Sequence, residues 1–145
     1  MIKSTINLLM ISFILMLSCK DSNNKTAQLT INQDSKLKES INRGSVVYQD
    51  FCMSCHLPNG KGVPKTFPPL AKSDYLMSDI KRSIEVVKFG QKGEIIVNGE
   101  KYNSAMMPLG LSDKEIADVM NYISNSWGNA NKSLITEKEV SKIQQ

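Results

Sequence analysis

Apolar positions change rhythm several times along the chain, and each change marks a predicted element. A continuous apolar run from Leu8 to Leu17 gives way to a polar stretch, Asp21 to Ser35, rich in Ser, Asn, Gln and Lys. From Lys36 to about Cys52, the residues Leu37, Ile41, Gly44, Val47, Tyr48 and Phe51 recur at helical spacing, which predicts an amphipathic helix. Leu57 to Lys72 loses the rhythm and carries Pro58, Gly60, Gly62, Pro64, Pro68 and Pro69, the punctuation of a loop. Ser78 is placed to cap a second helix running to about Phe89, with Gly90 as its stop. Glu94–Val97 and Glu100–Asn103 flank Asn98-Gly99, a strong hairpin signal. Ser112 and Glu115 form the capping box of a third helix carrying Ile116, Val119, Met120 and Ile123, closed by Trp127-Gly128. Asn129 to Gln145 reads as polar and peripheral. The pattern predicts a mainly all-α fold, three main helices with a small β-hairpin, over residues 36–128.

Composition narrows this picture. With 145 residues, 41% hydrophobic and 22% charged, the chain is an ordinary globular protein with room for one domain. Aromatic content of 6% is low, so a bound cofactor would help to fill a small core. A single His excludes sites that need two imidazoles, and a net charge of +4, evenly spread, argues against nucleic acid as a partner.

The amino terminus reads as an address. Lys3 and the run Leu8–Leu17 suit an export signal over residues 1–18, too short for a stable membrane span. Leu17-Ser18-Cys19 resembles the lipobox of bacterial lipoproteins, with Met16 where that pattern usually has Leu. The resemblance implies a lipid on Cys19 as the membrane attachment; the alternative is an ordinary secretory signal in which Cys19 is incidental. Residues 19–35 are then a flexible tether and residues 129–145 a polar tail.

Cys52-Met53-Ser54-Cys55-His56 is the most informative stretch. C-x-x-C-H is the attachment signature of haem c, in which two thiols form thioethers and the adjacent imidazole binds iron. Cys52 and Cys55 lie one helical turn apart, so both sulfurs reach one edge of a porphyrin. A zinc site would need further His or Cys ligands that the exported chain lacks, and a thioredoxin-like pair would need a βαβ context. The sixth iron ligand must then be something other than His. Of Met53, Met77, Met106, Met107 and Met120, the first sits inside the motif, Met77 lacks supporting context and Met120 lies on an apolar helix face. Met106-Met107-Pro108 sits in a loop from which a thioether could reach the distal face.

These residues resemble the class I monohaem cytochrome c family over nearly all of residues 36–128. The resemblance implies the cytochrome c fold around one covalent haem, with Met107, which precedes Pro108, as distal ligand. It matches Gly44, Tyr48 and Cys52 to a family pattern in which the small Gly lets the last helix cross closely, against Val119, Tyr122 and Ile123. It gives Pro68 the role of accepting the His56 Nδ1–H and Leu70 that of packing on haem. Phe67-Pro68-Pro69-Leu70, Val97-Asn98-Gly99, Tyr102-Asn103 and Ser126–Asn129 resemble a bacterial subgroup of small carriers and modules of larger oxidoreductases. The implied role is electron transfer on the cell-envelope face, with an oxidase, reductase or dehydrogenase as redox partner. With His56 and Met107 both on iron, a peroxidase or gas sensor, which needs an open position, is disfavoured. Lys61, Lys65, Lys72, Lys92 and Lys101 are expected around the exposed haem edge, as a broken ring that steers an acidic partner or as separate solvated side chains.

Overall fold

Residues 22–35 contain neither Pro nor Gly, and nothing in them stops a helix. Accordingly α1 runs Ser22–Phe51, beginning well before Lys36 and making the expected tether helical from Ser22. The computed structural model describes residues 22–144. Contacts divide the chain into Met1–Asn32 and Gln33–Gln145. Only the start of α1 is described in the first unit; the expected export signal and Cys19 lie outside the described residues.

In the second unit α1 buries Ser40, Gly44 and Tyr48, one face at four-residue intervals. That face packs against α5, Asp113–Ile123. A Cβ on Gly44 would lie 1.9 Å from the Asp118 carbonyl oxygen and 2.9 Å from Tyr122 Cβ, so only glycine permits this crossing. The crossing therefore lies over Asp118 and Tyr122; of the residues expected there, Val119 and Ile123 turn instead towards a cleft. A buried polar cluster fastens the same pair of helices. Asp118, 4% exposed, accepts from Ser40 Oγ at 2.6 Å and from Arg43 Nε and an Arg43 terminal nitrogen at 2.7 Å each. Tyr48, Tyr122 and Trp127 pack together in tilted and edge-to-face pairs with centroids 4.9–5.4 Å apart.

The remaining elements are short. α2 is Met53–His56, α3 Asp74–Ser78 and α4 Ile80–Phe89. The expected cap at Ser78 is displaced by one residue. Asp79 is extended, ends α3, and caps α4 by accepting the Arg82 N–H, while Ser73 caps α3. The hairpin pairs β1, Ile95–Val97, with β2, Glu100–Tyr102, in the register Ile95↔Tyr102. Asn98 and Gly99 both have positive φ, as the turn requires. Asp74 N–H donates to Asn98 Oδ1 at 3.0 Å and Asn98 N–H to Asp74 Oδ1 at 2.7 Å, clipping the hairpin to α3. Ser112 and Glu115 form the expected capping box.

The carboxyl-terminal tail corrects the sequence reading. Residues 129–144 are not peripheral: Ile135, Val140 and Ile143 are buried, and α6, Glu137–Ser141, packs on α5. Asn121 holds the tail by donating to the Ile135 carbonyl at 2.7 Å and accepting its N–H at 2.9 Å. Lys88 Nζ donates to the Val140 carbonyl at 2.9 Å and pairs with Asp113 at 2.8 Å. Three buried apolar residues, with these hydrogen bonds, anchor a segment whose other side chains are mostly exposed and whose average composition is polar.

Candidate haem-binding cleft

The Cys-x-x-Cys-His stretch continues the helical bonding of α1. Cys52 N–H donates to the Tyr48 carbonyl and His56 N–H to the Cys52 carbonyl, each at 2.9 Å. Leu57, with positive φ, then turns the chain away. Both thiols are free and half-buried. Burial, with a smaller contribution from Cys55, pushes the Cys52 thiol up to about 11.

The loop that follows folds back onto the imidazole. Leu70 and Ala71 N–H donate to the Gly60 carbonyl at 2.7 and 2.9 Å, and Val63 and Phe67 exchange two bonds at 2.8 Å. These contacts bring the Pro68 carbonyl 2.9 Å from His56 Nδ1. A carbonyl can only accept, so Nδ1 carries the proton, and in the neutral ring Nε2 keeps its lone pair. Burial lowers the His56 pKa, against the opposing effect of the Pro68 bond, and favours that neutral form.

Cys52, Cys55, His56, Pro68 and Leu70 form one wall of a cleft, and Met107 lies on its lining too. The cleft leaves about 1240 Å³ free of protein atoms, counted out to its mouth. Its floor includes Leu76, Val87, Val119 and Ile123. Cys52, Cys55, His56, Pro68, Leu70 and Met107 therefore line one cleft; Cys19 lies outside the described residues. Among the methionines, Met106 and Met107 line the cleft, with Met107 61% exposed. Met120 is fully buried in the core, against which Met53 and Met77 pack. Met106 is tied by its backbone to Gln91, whose N–H donates to the Met106 carbonyl at 2.8 Å and whose carbonyl accepts the Met106 N–H at 2.9 Å.

Sequence reasoning missed the hairpin as a wall of the cleft. Val97, 1% exposed, and Tyr102, 7% exposed, both line it, while Ile96 between them in the fold faces solvent. The apolar run Ile95-Ile96-Val97 was the available signal for a buried contact, but being apolar throughout it does not say which of the two strand faces points inward. The five lysines are all exposed, but Lys101 pairs with Glu94 at 2.9 Å, which neutralises part of the expected ring.

The donor set and the walls fit haem. Two free thiols share a rim with one imidazole whose second nitrogen is unengaged, over an apolar floor able to exclude water. Fold and site together define a c-type haem protein of the small, mainly helical kind. The cytochrome c family model matches residues 41–127, and the chain belongs to this family as a class I monohaem cytochrome c. It carries haem c covalently and serves in electron transfer. Over 109 residues it is 39% identical to cytochrome c-552 of Thermus thermophilus, covering 69% of this chain and 82% of that protein. It is 34% identical over 106 residues to the cytochrome c subunit of alcohol dehydrogenase (quinone) from Gluconobacter oxydans (strain 621H), spanning 70% of this chain and 22% of that subunit. The cytochrome c subunit of gluconate 2-dehydrogenase from Pantoea cypripedii is 29% identical over 128 residues, or 81% of this chain and 29% of the relative.

Proposed function

We propose that Cys52 and Cys55 hold the haem through thioethers and that His56 Nε2 and the Met107 sulfur bind its iron. The protein then passes single electrons between membrane redox enzymes. The observation that carries this reading is the His56–Pro68 hydrogen bond at 2.9 Å beside the two free thiols. It fixes the ring, leaves Nε2 as the donor and raises the ligand's basicity. Bound in this cleft, haem supplies a one-electron ferrous–ferric couple. The apolar floor of Leu76, Val87, Val119 and Ile123 keeps water away, and Pro68 prevents the imidazole from rotating during oxidation and reduction. His56 and Met107 would hold the iron between them and would leave no coordination position for oxygen or peroxide, which favours a carrier over a catalyst.

The location proposed is the periplasmic or cell-envelope face of a bacterial membrane, through a lipid on Cys19. The run Leu8–Leu17 and the sequence Leu17-Ser18-Cys19 support it, and no described helix is long and apolar enough to cross a membrane. Cytochrome c subunits of dehydrogenases among the relatives favour a second, compatible reading, in which this domain docks as the electron-entry module of a larger oxidoreductase.

The ligand assignment is tested by two neighbouring substitutions. Met107→Ala should abolish the sulfur–iron charge-transfer absorption of the oxidised protein and lower its potential, and Met106→Ala should preserve both. Pro108 restricts residue 107 to extended backbone, which gives its side chain a defined direction. Equal loss in both variants would refute the assignment.

A further inference from the structure

We infer that Gly90 is a positioning residue for the distal side of the cleft: because it has no side chain, the Met106–Pro108 segment seats against the end of α4, and that seating holds Met107 in place. The inference rests on the reading of Met107 as an iron ligand. Gly90 closes α4, its N–H donating to the Val86 carbonyl at 2.9 Å. Its φ of 85° and ψ of 174° fall in a region that essentially only glycine occupies. A Cβ at this position would stand 2.6 Å from the Met106 carbonyl oxygen and 2.9 Å from Pro108 Cδ, closer than side chains tolerate.

Neither of those neighbours can yield cheaply. The Met106 carbonyl accepts from Gln91 N–H at 2.8 Å, and the Met106 N–H donates back at 2.9 Å, so residue 106 is pinned on both sides. Pro108 is a rigid ring with a locked φ. Residue 107 lies between these two fixed points and takes its direction from them. A side chain at position 90 must displace either a ten-residue helix or an isolated bridge of one residue pair, and the bridge is the weaker of the two. Lifting it carries Met107 away from the cleft.

Gly93 provides the control. Its φ is 87°, yet a Cβ there meets nothing within 4 Å. Gly93→Ala therefore imposes positive-φ strain in the same loop without touching the Met106–Pro108 segment.

The test uses the full-length, haem-loaded ferric protein, with two readouts: the sulfur–iron charge-transfer absorption on warming, and titration with imidazole, which competes for the distal position. In Gly90→Ala the absorption should fade at lower temperature and imidazole should bind about tenfold more tightly or better, while Gly93→Ala should stay within about twofold of the parent. Equal changes in the two variants would overturn the inference. Met107→Ala separates it from the reading beneath it: if that variant keeps the absorption, the ligand assignment fails whatever Gly90 does. Should Gly90→Ala yield no loaded protein, hydrogen exchange of the unaltered protein decides. The Gln91 and Met106 amides should lose protection over the temperatures at which the absorption fades, and an absorption that fades while both stay protected would overturn the inference.

Discussion

Val140 is fully buried, in a tail whose composition suggests solvent exposure, so truncating its side chain measures whether this tail belongs to the core. Val140→Ala removes two carbons. At about 0.8 kcal/mol per buried methylene the lost transfer energy is about 1.6 kcal/mol. The hole left behind adds roughly 1 kcal/mol, because relaxation is restricted on several sides. Lys88 holds the Val140 carbonyl, Asn121 holds the backbone of Ile135, and the Thr136–Glu139 capping box fixes the first turn of α6. A destabilisation of about 2.5 kcal/mol should lower the melting temperature of a domain of this size by about 10 °C or more. Thermal unfolding of the haem-loaded protein, followed by circular dichroism, reads it directly. Lys138→Ala on the exposed side of the same helix should change the midpoint by no more than about 2 °C. If Val140→Ala matches that control, the tail contributes nothing and its burial against α5 has no energetic weight.

Gly44→Ala should destabilise by about 2 kcal/mol despite a helix-propensity gain of about 1 kcal/mol, because its Cβ meets the Asp118 backbone; a denaturant midpoint equal to or above that of the parent would contradict this. Asp118→Ala should cost about 2 kcal/mol in the same assay, since it takes the acceptor from the buried Ser40 hydroxyl and the partner from the half-exposed Arg43 guanidinium, whose pKa is raised chiefly by its hydrogen bond to Asp118; a neutral result would mean that solvent replaces that acceptor. Mass spectrometry of the protein purified from membranes should find a lipid-modified Cys19 as the first residue, and an unmodified Cys19 or a cleavage elsewhere would remove the proposed anchor.

Local spacing in the sequence was sufficient for the chemistry of the cleft. Cys52, Cys55 and His56 occupy adjacent helical positions, so a one-dimensional pattern already dictates that two thiols and an imidazole share a rim. The Ser112–Glu115 box and the Asn98-Gly99 turn were legible for the same reason, since each is a bond or dihedral requirement within a few residues. Pro68 and Leu70 were reached only through family resemblance, because their contacts depend on a loop folding back on itself.

Other features depend on what packs against them. Ser78 and Asp79 are both good caps, and only the turn between α3 and α4 selects Asp79. Residues 22–35 are polar enough for a tether and equally free of helix breakers, and the choice between coil and helix is not written in composition. The tail was misread because burial depends on where Ile135, Val140 and Ile143 land, not on how polar their neighbours are. Gly90 makes the same point at the distal side. A glycine after a helix reads as a stop signal, and only the Met106 carbonyl oxygen, which a Cβ at position 90 would meet at 2.6 Å, shows that its missing side chain also makes room for the methionine loop. Short-range bonds leave a sequence signature, whereas contacts between distant segments exist only once the chain has closed on itself.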